Sequence, residues 1–98
     1  MATRLTLQWT PIATEHLRST YEYVAQDSAR AAQSLIERVF SVAERLRDYP
    51  RMGREGRVEG TRELAVAGTP FVVVYRLYQA RIDVLAVFHG ARKWPEEF

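Results

Sequence analysis

Apolar and polar positions along the chain change period several times, and each change marks an element. Leu5, Leu7 and Trp9 alternate with Thr6, Gln8 and Thr10, the two-residue repeat of a short strand. Thr10-Pro11 then offers an N-cap followed by proline at the first helical position, where its missing N–H does no harm. Ala13, Leu17, Thr20, Tyr21 and Val24 recur at helical spacing to about Gln26, and Asp27-Ser28 supplies a break and a second cap. A second helix carries Ala32, Leu35, Ile36, Val39, Val42, Ala43 and Leu46 on one stripe, with Arg30, Glu37, Arg38, Glu44, Arg45 and Asp48 opposite. Tyr49-Pro50 is expected to stop it, because a residue preceding proline is biased out of the α region. So short a link between two amphipathic helices predicts an antiparallel hairpin.

Beyond the helices the period returns to two. Glu63–Val66, Phe71–Tyr78 and Arg81–His89 read as strands, the latter two too β-branched and too tightly bounded to be helices. Gln79-Ala80 joins them as a hairpin. Within 71–78, Phe71, Val73, Tyr75 and Leu77 face one way; Val72, Val74, Arg76 and Tyr78 face the other, a side expected to be partly open. The order β-α-α-β-β-β predicts an α+β fold: one domain spanning 1–98, its helical hairpin packed on one face of a small, mostly antiparallel sheet.

Between helices and strands, residues 50–62 break every pattern. Three glycines and four arginines fall within thirteen residues, with no apolar run to bury them. Glycine permits sharp turns and close backbone approach, so the segment reads as an arginine-lined loop leading to Arg62 at the start of a strand.

Composition sharpens this only in part. The formal net charge is +2, but residues 11–49 are slightly acidic while 50–62 and 71–93 are basic. Arginine supplies thirteen of the fourteen cations, and its planar fork suits phosphate or carboxylate recognition, although genomic base composition produces the same bias. Cysteine is absent, which excludes disulfides and thiolate metal sites. With two histidines, one in each half, a metal site is not expected, nor is any cofactor; His16 reads as a boundary side chain rather than a ligand. There is no apolar signal core and no run near the ~20 residues of a membrane span, so a cytoplasmic protein without membrane contact is expected.

Several motifs, in order and over nearly the whole chain, resemble the RelE/ParE superfamily of toxins. They are Trp9-Thr10-Pro11, Tyr21-Glu22-Tyr23-Val24-Ala25 with Asp27-Ser28-Ala29, and Tyr49-Pro50-Arg51-Met52-Gly53-Arg54. Gly60-Thr61-Arg62-Glu63-Leu64, Val73-Val74-Tyr75-Arg76 and Val87-Phe88-His89-Gly90-Ala91-Arg92-Lys93-Trp94 complete the set. The resemblance implies the toxin of a type II toxin–antitoxin module, such as serves plasmid stabilisation, neutralised by a small cognate antitoxin. RelE-like members cut messenger RNA in the ribosome; ParE-like members poison DNA gyrase.

Metal-free RNA cleavage needs a base, an acid and cations at the phosphorane. Arg62, Arg76 and His89 are the candidates, since neighbouring strands could bring them together. Against this, the lysine cluster of RelE-like enzymes is absent, Lys93 being the only lysine, and no tyrosine follows Tyr78. The ParE-like side is therefore favoured. Arg57, Arg92 and Trp94 are the expected target contacts, because arginine and aromatic side chains concentrate binding energy. Tyr21 and Tyr23 are candidates for gripping an antitoxin, while Arg76 and His89 also have structural readings, the former as a cross-sheet partner of Glu63. A plain nucleic-acid-binding module ranks lowest, since Glu55 and Glu59 interrupt the arginines.

Overall fold

The structure, a computed structural model, describes residues 4–90. Strand β1 (Thr6–Trp9) leads into helix α1 (Pro11–Ala25), followed by α2 (Ala29–Arg45) and strands β2 (Arg54–Glu55), β3 (Arg62–Ala65), β4 (Phe71–Leu77) and β5 (Arg81–His89). Both helices start at their expected caps. The Thr10 side chain accepts from the Ala13 N–H and that of Ser28 from the Ala31 N–H, each satisfying a donor that the first turn leaves free.

The strands form one sheet in the order β1-β5-β4-β3-β2. β1 runs parallel to β5 and the other neighbours are antiparallel, the expected α+β arrangement. Three features depart from the sequence reading. A fifth strand, β2, forms inside the arginine loop, with Arg54 opposite Glu63 and Glu55 opposite Arg62. Helix α2 ends at Arg45 rather than Tyr49, because the chain tightens into successive turns: Leu46 and Arg47 donate to the carbonyls of Ala43 and Glu44. Leu46 is thereby turned fully into the core beside Tyr75 and Ile82.

The third departure is a bulge. Val74 pairs with Ala86 but Tyr75 pairs with Val84, leaving Leu85 as an extra residue in β5. Val84 and Val87 consequently share a cluster with Ala13 and Leu17 of α1 and Val39 of α2. Ala86 and Phe88 instead join Val74 in a second cluster that contains no helical residue. That helix-free face is more buried than its sequence suggests, with Val74 and Ala86 fully covered. A fully buried valine contributes about 1.5–3 kcal/mol and the methyl of Ala86 less, so both faces of the central strands stabilise the sheet.

Candidate functional site

The arginine loop is anchored residue by residue. Its entry is held by Tyr75, a fully buried side chain whose hydroxyl donates to the Pro50 carbonyl at 2.7 Å and accepts from the Gly53 N–H at 2.9 Å. Burial raises the Tyr75 pKa, partly opposed by the Gly53 hydrogen bond and the nearby Arg62 charge, which keeps the phenol protonated as donor. From β3, the Arg62 guanidinium donates to the Gly53 carbonyl at 2.7 Å and the Arg51 carbonyl at 3.4 Å. Gly53 is required by closeness: an added Cβ would lie 2.7 Å from the Tyr75 hydroxyl and 2.9 Å from the Glu63 carbonyl.

The distal half is tied to Thr61 and Glu63. Thr61 is buried; its hydroxyl donates to the Val58 carbonyl at 2.6 Å, and its own carbonyl accepts from the Gly56 N–H at 2.8 Å. Gly60 turns the chain back with φ +82°, a conformation that other L residues rarely adopt. The Glu63 carboxylate, only 2% exposed, accepts from the Arg57 backbone N–H at 3.0 Å and from the Arg54 guanidinium at 3.3 Å. Arg51, Arg54 and Arg57 are left exposed, and Arg57 reaches over the Phe88 ring, 5.9 Å from its centroid, on the helix-free face.

Glu63 therefore serves Arg54 and Arg57, not Arg76 as the sequence suggested. The Arg76 guanidinium instead lies against Gly60, 3.0 Å from where a Cβ would stand. The strands carrying Arg62, Arg76 and His89 are adjacent, yet the side chains do not converge. Arg62 stands opposite Tyr75 and shares its face, whereas Arg76, the next residue along β4, points through the other. His89 pairs with Phe71 at the far end of the hairpin, while Arg76 pairs with Asp83; at the rise of a strand this separates them by roughly 20 Å. The His89 ring packs edge-on to Phe71, with centroids 5.4 Å apart.

A concavity of about 880 Å³ opens beside the loop and includes Arg4, Arg47, Arg51 and Arg62. Most of these guanidinium groups are already committed. Arg4 is bonded to Asp48 at 2.9 Å, Arg47 to the Leu5 carbonyl at 2.9 Å, and Arg62 to the loop carbonyls. Asp48, Glu55 and Glu59 share the lining, so the concavity has mixed charge. Among the described residues no three metal-ligating side chains are grouped. Nor is any described helix long and apolar enough to cross a membrane.

Tyr21 and Tyr23 are exposed on α1, 39% and 61% respectively. Tyr23 overlooks a groove of about 790 Å³ shared with His16, Phe71, Val87 and His89. His16 is a structural group at its floor: Nδ1 accepts from the Val87 N–H at 3.2 Å, and burial lowers the imidazole pKa, partly opposed by Glu15. Arg92 and Trp94 lie outside the described residues. Of the anchoring residues, Thr61 and Tyr75 were not singled out in sequence, and Glu63 was read only as a partner of Arg76. The one available signal was Glu63, a charge inside an otherwise apolar strand run.

This fold, with a helical hairpin on a five-stranded sheet and an arginine loop feeding β3, is that of a RelE/ParE superfamily toxin. A family model described as the ParE toxin of the type II toxin–antitoxin system parDE matches residues 7–94, and the chain belongs to that family. A Sinorhizobium fredii protein carrying the name toxin Y4kP is 32% identical over 93 residues, 95% of this chain and 96% of that one. Toxin RelE2 of Caulobacter vibrioides is 32% identical over 84 residues, 86% of this chain and 93% of its own. Among solved structures, that of a chromosomal ParDE toxin–antitoxin system from P. aeruginosa aligns with TM-score 0.79 at 24% identity, over 88% of this chain and 96% of its own. The YoeB dimer from Staphylococcus aureus aligns more loosely, with TM-score 0.58 at 13% identity, over 86% and 94%. At these identities the two structures speak for the fold.

Proposed function

We propose that this toxin arrests growth by binding DNA gyrase in the cytoplasm, without nucleolytic chemistry, and that a cognate antitoxin neutralises it. What carries the reading is the separation of Arg62, Arg76 and His89. Cleavage of RNA needs a proton acceptor, a proton donor and cations within hydrogen-bond reach of one phosphate, and these three groups span two faces and both ends of the sheet. The exposed, firmly held arginine loop suits surface recognition instead. Arg57, with Arg92 and Trp94 of the C-terminal segment, forms the contact set for the target. Tyr21 and Tyr23 form that for the antitoxin, Tyr23 lining a groove of a size that admits side chains of an amphipathic segment.

The test is to incubate purified toxin with gyrase and plasmid, and in parallel with translating ribosomes and message. Loss of supercoiling or trapped cleavage complexes, with message intact, is the expected result. Message cut in the ribosomal A site, with supercoiling unaffected and activity lost in Arg76→Ala and His89→Ala, overturns the reading in favour of a ribosome-dependent endoribonuclease.

A further inference from the structure

The arginine loop contains three glycines and buries little apolar surface, so elementary considerations predict a mobile segment. It is instead held at both ends by groups that a sheet would not otherwise bury. Glu63 occupies a position between Val74 and Arg54 on a face whose neighbouring cluster is Val74, Ala86 and Phe88. A β-branched apolar residue would serve that face better than a carboxylate, whose desolvation is costly unless it is well bonded. Its bonds go to the loop, to the Arg57 N–H and the Arg54 guanidinium. Tyr75 likewise spends its hydroxyl on Pro50 and Gly53, where phenylalanine would fill the same space.

We infer that Tyr75 and Glu63, with Arg62, are positioning residues that pre-form the loop as the target-binding surface, aligning Arg51, Arg54 and Arg57 with separately spaced carboxylates on a protein of mixed surface charge. Fixing the loop in the free toxin removes the ordering cost that binding would otherwise incur. A protein is favoured over nucleic acid because exposed Glu55 and Glu59 alternate with the arginines. Such alternation matches carboxylates and amines at set spacings, whereas it repels a uniformly charged phosphate chain. The inference rests on the proposed mode of action, by binding, but not on gyrase being the partner.

The experiment compares wild type, Tyr75→Phe and Glu63→Gln by amide hydrogen exchange, by growth arrest on induction, and by inhibition of purified gyrase. Exchange at Gly53 in the first variant and at Arg57 in the second is expected to accelerate roughly tenfold, with β4 and β5 amides unchanged: phenylalanine removes the acceptor of the Gly53 N–H, and glutamine leaves one neutral acceptor oxygen for the Arg57 N–H and the Arg54 guanidinium that shared two. Arrest, and inhibition of gyrase, are then expected to need roughly tenfold more toxin, as the freed loop must be ordered on binding. Accelerated exchange with undiminished growth arrest overturns the inference, and so does unchanged exchange in both variants. If Tyr75→Phe also loses protection in the core strands, Glu63→Gln decides, because its carboxylate lies at the loop's other end. A wild type that arrests growth but spares gyrase refutes the gyrase target alone, and the clamp is then judged on growth. A wild type without effect on either refutes both. Retention of the wild type on naked plasmid DNA at physiological salt, lost in Arg51→Ala, overturns the protein surface in favour of nucleic acid.

Discussion

At the scale of single residues, two positions make measurable demands. His16 must be neutral for Nδ1 to accept the Val87 N–H, and its pKa is lowered, first by burial and against the weaker pull of Glu15. A base whose folded pKa lies below its unfolded value binds fewer protons when native. Its contribution is therefore complete above about pH 6.5, the unfolded value, and is lost as pH falls toward the depressed folded pKa. Thermal melts should show stability declining as pH drops below that point, and His16→Gln should flatten the decline; equal slopes would disprove the assignment. Gly53 makes the second demand. Its φ is not positive, so alanine would be tolerated by the backbone itself and opposed by the nearest atoms, those of Tyr75 and the Glu63 carbonyl. Gly53→Ala should cost about 1–3 kcal/mol in chemical denaturation, as overpacking does. The glycines were legible in sequence as loop formers, but their separate reasons were not. Gly53 needs closeness to Tyr75, a residue in β4 that is far away in sequence, whereas Gly60 needs a positive φ.

Elements were most legible where their signals are local. Thr10-Pro11 and Ser28 announced both helices because a cap bonds only to the turn that follows it. Those caps are not equivalent. Ser28 is exposed and bonds only Ala31, whereas the Thr10 hydroxyl also donates to the Val84 carbonyl at 2.9 Å and joins α1 to β5. Ser28→Ala should cost about 1 kcal/mol, near the ordinary value of a cap. Thr10→Ala should cost about 1 kcal/mol more, since a second hydrogen bond is lost. Equal melting shifts would mean that the Val84 bond adds nothing. Features set by distant partners stayed hidden. The two residues of β2 are too few for any period, and the bulge at Leu85 exists only relative to the register of β4. The early end of α2 follows from drawing Leu46 under Tyr75 and Ile82, a contact between chain segments far apart in sequence.

For the whole molecule, the decisive arrangement is that the two proposed interaction surfaces lie in different layers. Tyr23 belongs to the helical hairpin, beside the groove it shares with Phe71 and His89. Arg57 lies over Phe88, in a cluster that holds no helical residue among the described ones, and Phe88 is the residue that this side shares with the groove lining. The sequence suggested both groups of contacts but not their separation, because facing is decided by strand register and by the bulge at Leu85, which sets Val84 and Val87 on one side and leaves Ala86 and Phe88 on the other. Substitutions at the two places should therefore act independently, as changes without shared partners do. In cells expressing toxin alone, Arg57→Ala should weaken growth arrest roughly tenfold, the loss of a hot-spot arginine, while still co-purifying with the cognate antitoxin. Tyr23→Ala should arrest growth as wild type does when expressed alone, yet need more antitoxin for rescue. If either substitution impairs both behaviours in a protein whose melting is unchanged, then antitoxin and target share one surface. Neutralisation would in that case be direct occlusion of the target site. If they separate as expected, the antitoxin acts from the helical layer, and a complex of all three proteins becomes a physical possibility that size-exclusion chromatography of the Arg57 and Tyr23 variants with both partners can decide.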